Sequence, residues 1–167
     1  ELSVITSVCK EHTQILGDSI EEITFEKAGI IKEGVPVVIG PKVPREVLYQ
    51  VAEKKNSKVY EVGDFSGGFD RENSEIARSA LEVLKEGFEI ADGCIERGLL
   101  SNPKCRFEVH TGHLPDLAAI ILDVAHNPGA LKALFERIED QFPGKRIFTV
   151  FGLGKGKDLA ACTKVIR

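Results

Sequence analysis

The sequence predicts an α/β protein built around a parallel sheet. Three short runs rich in β-branched and other apolar residues, at 2–8, 35–39 and 58–62, have the length of buried strands. Two segments with helical periodicity separate them, one after residue 19 and one over 45–55. A strand–helix–strand order of this kind is typical of β-α-β units, whose strands run parallel.

Composition limits the classes of protein and partner. Of the 167 residues, 43% are apolar and 29% are charged, which is ordinary for a globular chain. No apolar run approaches the roughly 18 residues of a membrane span, and the net charge of −4 comes without a basic stripe. We therefore expect a soluble, cytoplasmic protein that binds neither membrane nor nucleic acid. Four scattered cysteines without a C-x-x-C motif predict neither a zinc cage nor a redox pair.

The helix after residue 19 has a clear start and one unusual residue. Ser19 and Glu22 form an S-x-x-E capping box at its beginning. One side of the helix is apolar except for Lys27 near its centre, the apolar positions being Ile20, Ile23, Thr24, Ile30 and Ile31. Three explanations stay open for Lys27. Its amine reaches water beyond a packed stem, or the helix ends at Gly29 before the stripe matters, or a buried amine loses its charge or meets an anion.

The middle of the chain predicts a loop followed by a long helix. Paired glycines predict a loop over 63–71, which leaves Asn73 or Ser74 to cap the next helix. A further helical stretch is predicted over 87–100, with a break near Gly93. The apolar residues of the long helix are Ile76, Ala77, Ala80, Leu81, Leu84 and Phe88.

A domain boundary is predicted at the S-N-P sequence of residues 101–103. We expect one domain over 1–104 and a second over 105–167. The chain has no methionine and begins inside an apolar run, so we also expect it to be a fragment.

The second domain is predicted to alternate strands and helices as well. An apolar strand over 118–123 leads to Asn127-Pro128, a cap and first-turn pair that starts a helix. Another strand is predicted over 146–151, before a glycine-rich loop that fails the G-x-x-x-x-G-K-[ST] phosphate-loop pattern at two positions. His110 and His113 are expected in a surface turn and receive no role.

Several short motifs lie along the chain, namely E-H-T at 11–13, L-G at 16–17 and E-K-A-G-I at 26–30 in the first half, and L-D-V-A-H-N-P at 122–128 in the second. Together they resemble the folylpolyglutamate synthase and dihydrofolate synthase family of the Mur-ligase superfamily. In the second half, L-D-V-A-H-N-P at 122–128 differs from the family's L-D-G-A-H-N-P only at Val124. The sequence C-R-F-E at 105–108 resembles G-R-x-E, with Cys105 in place of the glycine. The resemblance implies a partial central ATPase domain with a parallel sheet, followed by part of a Rossmann-like carboxy-terminal domain.

The resemblance also implies a metal site. His12 would be a ligand of one of two magnesium ions, and Lys27 would carry a carbamate whose oxygens help to hold that ion. Such a modification suits the residue, because a desolvated site favours the neutral amine and a hard cation accepts the resulting anion.

The remaining implied roles concern ATP. Asn73 would hydrogen-bond the adenine, Arg106 would reach the γ-phosphate, and Asp123 would meet the ribose or the α-phosphate. His126 would lie beside the nucleotide and, with Lys27, would take part in catalysis. From the local pattern alone, Asp123 and Asn127 organise a turn and Arg106 is a surface arginine.

Enzymes of this family join a carboxylate to an amine at the expense of ATP. The resemblance implies addition of L-glutamate to a folate or dihydropteroate carboxylate through an acyl phosphate, by a protein that is monomeric when intact. These residues do not include a phosphate-binding P-loop, so the chain alone is expected to be inactive. The alternatives are another Mur-type ligase, for peptidoglycan precursors or cyanophycin, and a non-catalytic homologue that binds nucleotide.

Overall fold

The computed structural model describes residues 1–9, 16–64, 68–101, 103–112, 117–155 and 157–166. The chain forms two compact units, Glu1–Ser101 (unit 1) and Asn102–Arg167 (unit 2). Unit 1 contains β1 (Ser3–Ser7), α1 (Ile20–Ala28), β2 (Val37–Lys42), α2 (Arg45–Lys54), β3 (Val59–Glu61), α3 (Gly68–Leu84) and α4 (Cys94–Leu99). Unit 2 contains β4 (Glu108–His110), β5 (Ile120–Leu122), α5 (Pro128–Gln141) and α6 (Leu159–Ile166).

Unit 1 is a parallel sheet with apolar clusters on both faces. The strand order is β1-β2-β3, and β2 pairs parallel with both neighbours. Successive side chains of a strand point to opposite faces. Along β2, Val37 and Ile39 accordingly join a cluster with α1 and α2, whereas Val38 joins a second cluster with Ile76 of α3. The predicted β-α-β unit is confirmed.

Helix α1 begins where its capping box predicts. Ser19 Oγ accepts a hydrogen bond from the Glu22 amide at 3.1 Å, and Glu22 Oε2 accepts one from the Ser19 amide at 3.1 Å. The helix ends at Ala28, with Gly29 as its C-cap. Ile23 and Thr24 are buried, but Ile30 lies beyond the helix and is 51% exposed. The prediction that the apolar stripe continues through Ile30 was therefore wrong, because the helical spacing stops at Gly29.

Helix α3 begins earlier than the glycines suggested. It starts at Gly68, so Asn73 and Ser74 lie inside the helix and neither caps it. The buried carboxylate of Glu72 forms an ion pair of 2.7 Å with Lys42 at the end of β2. This tertiary contact holds the second turn of α3 against the sheet. A local pattern cannot report such a contact.

The region after α3 is less helical than predicted. Residues 87–93 form turns and irregular structure, and Phe88 is 61% exposed. Only α4 is helical in this stretch, and it begins after Gly93, whose φ of +72° suits glycine. The predicted break at Gly93 is confirmed, and the helix predicted before it is not.

Unit 2 combines a short antiparallel pair with two helices. Strands β4 and β5 pair antiparallel over three residues each, so His110 lies in a strand and not in the predicted turn. Asn127 caps α5 as predicted, since its Oδ1 accepts a hydrogen bond from the Ala130 amide at 2.7 Å. The buried side chains of α5 and α6 are Leu131, Ile138 and Cys162.

The strand predicted over 146–151 is absent from unit 2. Residues 145–150 are irregular, Phe148 is 77% exposed and Val150 is fully exposed. A strand requires a partner for its backbone hydrogen bonds, and this segment pairs with none of the described strands. No helix in the part of the chain that the structure describes is long and apolar enough to cross a membrane.

Candidate functional site

In unit 1, the predicted metal-binding lysine points to the end of a strand. Lys27 is half-buried, and its Nζ donates a hydrogen bond of 3.2 Å to the carbonyl oxygen of Ser7, the last residue of β1. In α/β sheets, ligands bind at the carboxyl ends of the strands. The amine therefore has a backbone partner at this strand end. Of the three explanations for Lys27, the second is confirmed in that the helix ends at Ala28, with Gly29 as its C-cap. His12 lies in 10–15, outside the described residues.

A charged pair lies at the same sheet edge. Lys42 is the last residue of β2, and its Cα lies opposite that of Ser7 in the register of β1 and β2. Its Nζ contacts Glu72, and the next residue, Asn73, is exposed on α3. We call Ser7, Lys27, Lys42 and Glu72 the sheet-end cluster. Lys42 and Glu72 had no predicted role, although the position of Lys42 three residues after the apolar run at 35–39 was an available signal.

In unit 2, Arg106 lies in a turn with an unusual backbone. Its neighbours Cys105 and Phe107 have φ values of +57° and +50°, in the left-handed region that non-glycine residues rarely adopt. The glycine that the family motif has at position 105 would adopt this conformation without strain. Among the described residues, the Arg106 side chain has no hydrogen-bond or ion-pair partner, and it is exposed. We call residues 105–108 the arginine turn.

Two carboxylates hold this turn. Glu108 Oε2 accepts a hydrogen bond from the Cys105 amide at 2.8 Å, and Asp123 Oδ2 accepts one from the Phe107 amide at 2.8 Å. Asp123 also accepts from the Ala125 amide at 2.7 Å. Asp123 therefore organises a turn, as the local pattern alone predicted.

The contacts of Glu108 in the arginine turn favour its ionised form. The hydrogen bond from the Cys105 amide lowers the pKa of Glu108, and His110, whose Nε2 lies 2.9 Å from Glu108 Oε1, lowers it further. The buried Phe107 ring stacks beneath the guanidinium of Arg137, 3.9 Å from the ring centre. An open cleft of about 330 Å³, lined by Pro103, Lys104, Arg106, Phe107, Glu108 and Val109, lies beside the turn.

His126 follows the turn that Asp123 organises. It is exposed, and its Nδ1 lies 2.9 Å from the carbonyl oxygen of Val124. A carbonyl only accepts hydrogen bonds, so Nδ1 carries the proton in the neutral ring and Nε2 remains available as an acceptor. Asn127, the next residue, is occupied by the cap of α5.

The site residues thus fall into two groups. Lys27 and Asn73 lie in unit 1, while Arg106, Asp123 and His126 lie in unit 2. Among the described residues, no group of three or more histidine, cysteine, aspartate or glutamate side chains could hold a metal ion.

Comparison with known proteins places the chain in one family. Residues 105–166 match the family model described as "Mur ligase, glutamate ligase domain". The chain is 33% identical to the dihydrofolate synthase/folylpolyglutamate synthase of Bacillus subtilis, over 93% of this chain and 44% of the relative. It is 33% identical to the enzyme of the same name from Haemophilus influenzae, over 94% of this chain and 44% of the relative.

Solved structures are similar to nearly the whole chain. Escherichia coli FolC in complex with DHPP and ADP has a TM-score of 0.83 at 26% identity, covering 99% of this chain and 44% of that one. A bifunctional folylpolyglutamate synthase/dihydrofolate synthase with Mn, AMPPNP and L-glutamate bound has a TM-score of 0.77, with the same identity and coverage. The predicted α/β, Mur-ligase-like fold class is confirmed.

The chain spans less than half the length of the relatives it matches. Within that span, both the sequence identity and the structural similarity extend over residues of each unit. The chain belongs to the folylpolyglutamate synthase/dihydrofolate synthase family of the Mur ligases.

Proposed function

We propose that the full-length protein containing these residues is an ATP-dependent ligase that adds L-glutamate to a folate or dihydropteroate carboxylate. The observation that carries this proposal is the 33% identity over 93% of the chain to a dihydrofolate synthase/folylpolyglutamate synthase. Similar solved structures in complex with DHPP and ADP, or with Mn, AMPPNP and L-glutamate, support the same substrates. A monomeric state and a cytoplasmic location remain predictions from the sequence.

The proposed reaction has two steps. A carboxylate oxygen of the folate or pteroate attacks the γ-phosphorus of ATP, and the bond to ADP breaks. The amine of glutamate then attacks the acyl carbon, phosphate leaves with the bonding electrons, and the nitrogen loses a proton. Catalysis of such phosphoryl transfer depends on positioning and on electrostatic stabilisation of the transferred group.

Arg106 is proposed to contact the γ-phosphate. A guanidinium is permanently charged and binds phosphate oxygens in a bidentate manner. The guanidinium of Arg106 supports this role, because it is exposed beside an open cleft and has no partner within the described part of the chain.

Asp123, His126 and Asn73 are proposed to contact other parts of the nucleotide. Asp123 already accepts two backbone hydrogen bonds, but an ionised carboxylate offers about four acceptor positions. It therefore keeps capacity for a ribose hydroxyl. His126 offers its Nε2, and Asn73 offers an exposed amide for the adenine.

The magnesium site is proposed at the sheet-end cluster. An unmodified ammonium donates hydrogen bonds and binds no metal, so Lys27 fits the site only as a carbamate formed from the neutral amine and CO₂ with loss of a proton. Its Nζ lies beside the Ser7 carbonyl oxygen, and hard cations take carboxylate-like and carbonyl oxygens as ligands. His12 would be a further ligand of the same ion as the Lys27 carbamate. A second magnesium ion would bind nearby. When bound, magnesium would neutralise charge on the transferred phosphoryl group.

The decisive assay is glutamate-dependent ADP release by the full-length protein. Dihydropteroate, tetrahydrofolate and a muramoyl nucleotide are supplied in turn with ATP, magnesium and glutamate. Turnover with either of the first two substrates supports the proposal and identifies the folate used. Turnover with the muramoyl nucleotide alone would assign another Mur-type ligase, and nucleotide binding without turnover would indicate a non-catalytic homologue.

The role of Lys27 has its own test. We expect Lys27→Ala to abolish magnesium-dependent turnover and added short carboxylates to restore part of it, since they replace the carbamate oxygens. Intact-protein mass spectrometry under CO₂ should show one added CO₂ on the wild type and none on Lys27→Ala. Full activity of Lys27→Ala without any added carboxylate contradicts the proposed role.

A further inference from the structure

The backbone around Arg106 requires contacts to hold it. Two left-handed residues, Cys105 and Phe107, enclose Arg106. A non-glycine residue adopts this conformation only when its surroundings enforce it. The direction of the Arg106 side chain follows from this backbone, so the contacts that enforce the turn also aim the guanidinium.

Separate contacts hold the two sides of the turn. Phe107 is 8% exposed, is stacked against Arg137, and gives its amide to Asp123. Cys105 is only half-buried, and its amide is held by Glu108 Oε2 at 2.8 Å. The second side is therefore the weaker one, and it depends on one carboxylate.

Glu108 is oriented for this task. Its other oxygen, Oε1, lies 2.9 Å from His110 Nε2, which fixes the carboxylate on the β4 strand. The charge of Glu108 is directed at a backbone amide and at His110, and it forms no ion pair with Arg106. The guanidinium thus stays available to an anion although a carboxylate lies two residues away.

From this geometry we propose that Glu108 is a positioning residue, which aims Arg106 at a nucleotide phosphate by holding the Cys105 amide. The inference rests on the proposed function, in which Arg106 meets the γ-phosphate. Glu108 itself contacts neither the phosphate nor the reacting atoms.

The test compares variants of the full-length protein in the ADP-release assay. Glu108→Ala removes the acceptor, and a misplaced Arg106 should lower kcat on the order of tenfold or more with little change in the KM for ATP. Glu108→Gln keeps an acceptor oxygen without its charge and should stay within roughly threefold of wild type. The matched control is Glu139→Ala, because Glu139 Oε1 also accepts a backbone hydrogen bond in unit 2, from the Gly144 amide at 3.1 Å. It should leave kcat unchanged.

A second substitution separates positioning from general loss of structure. Glycine adopts a left-handed φ without help, so Cys105→Gly in the Glu108→Ala background should recover most of the lost kcat. If Glu108 acted only by stabilising another part of the structure, glycine at position 105 would not restore kcat. Absence of that rescue, or equal kcat for Glu108→Ala and Glu139→Ala, overturns the inference.

Arg106→Ala distinguishes this failure from failure of the proposed function. If Arg106→Ala lowers kcat and Glu108→Ala does not, only the inference falls; if Arg106→Ala has no effect, the phosphate role of Arg106 falls and the inference with it. Should Glu108→Ala not fold, Glu108→Asp decides, because it withdraws the carboxylate by about 1.5 Å while keeping the charge. A kcat for Glu108→Asp equal to that of Glu108→Gln would then overturn the inference.

Discussion

Replacing Gly40 by alanine should strongly destabilise unit 1. Gly40 is buried in β2, where an added Cβ would lie 2.0 Å from the carbonyl oxygen of Thr6 in β1 and 2.8 Å from Cδ1 of Ile76. An ordinary contact distance is about 3.5 Å, so β1 and β2 would have to separate by roughly 1.5 Å. That shift stretches the parallel hydrogen bonds between the central strand and its neighbour.

The expected loss follows from two contributions. Overpacking in a core costs about 1–3 kcal/mol, and weakening one or two interstrand hydrogen bonds adds about 1 kcal/mol each. The free energy of unfolding of unit 1 should therefore fall by roughly 2–5 kcal/mol. With a urea dependence of about 1–3 kcal/mol per molar, the unfolding midpoint should fall by at least about 0.7 M.

Tyrosine fluorescence during urea unfolding measures this loss in unit 1 alone. The chain has two tyrosines, Tyr49 and Tyr60, both in unit 1, and no tryptophan. The matched control is Gly63→Ala, since no heavy atom lies within 4 Å of its added Cβ and its φ is not left-handed. That control should change stability by no more than about 0.5–1 kcal/mol. Equal midpoints for Gly40→Ala and Gly63→Ala would refute the close approach of β1 to β2.

Three further predictions concern local contacts. Asn127→Ala should remove the cap of α5 and cost about 1 kcal/mol, seen as faster amide exchange in the first turn of α5; unchanged exchange would contradict the cap. Ser19→Ala should cost about as much and speed exchange in the first turn of α1, whereas exchange in α5 stays constant as its control. Hydrogen bonds from Tyr49 and then Arg45 lower the pKa of Glu61, so its contribution to stability is present above the ordinary glutamate pKa of about 4.3 and is lost as pH falls through the lowered value. Glu61→Gln should therefore lower the urea midpoint at pH 7 and match wild type at pH 2, and a difference that persists at pH 2 would contradict this assignment.

Local patterns in the sequence were sufficient wherever an element of either unit carries its own start signal. The capping box of Ser19 and Glu22 and the Asn127-Pro128 pair both begin helices as predicted, because a cap acts through the backbone within three residues of itself. The continuous apolar run that contains Val37, Val38 and Ile39 likewise predicts a buried strand, and β2 forms there. Such signals do not depend on distant parts of the chain.

Predictions failed where a contact far along the chain decides the structure. Helix α3 extends back to Gly68, where its second turn is held by the pair of Glu72 and Lys42, 30 residues apart in sequence. The apolar segment 146–151 lacks a strand partner among the described residues, so its β-propensity alone does not make it a strand. The pairing of β4 with β5, which places His110 in a strand, had no strong local pattern either.

The candidate site divides in the same way. The motifs of the sequence alone named Lys27, Arg106 and Asp123 as residues of interest. They could not indicate that Lys27 Nζ reaches the Ser7 carbonyl, nor that Asp123 holds the amide of Phe107, 16 residues earlier.

The sequence by itself therefore determined the order of the helices and strands in unit 1, because that order depends on short-range spacing. It also contained the motifs that resemble the family. Tertiary structure alone decided which way the charged side chains point. A carboxylate or an amine is directed by the backbone amide or carbonyl it meets, as when Glu108 meets Cys105, and that meeting is set by how the elements pack.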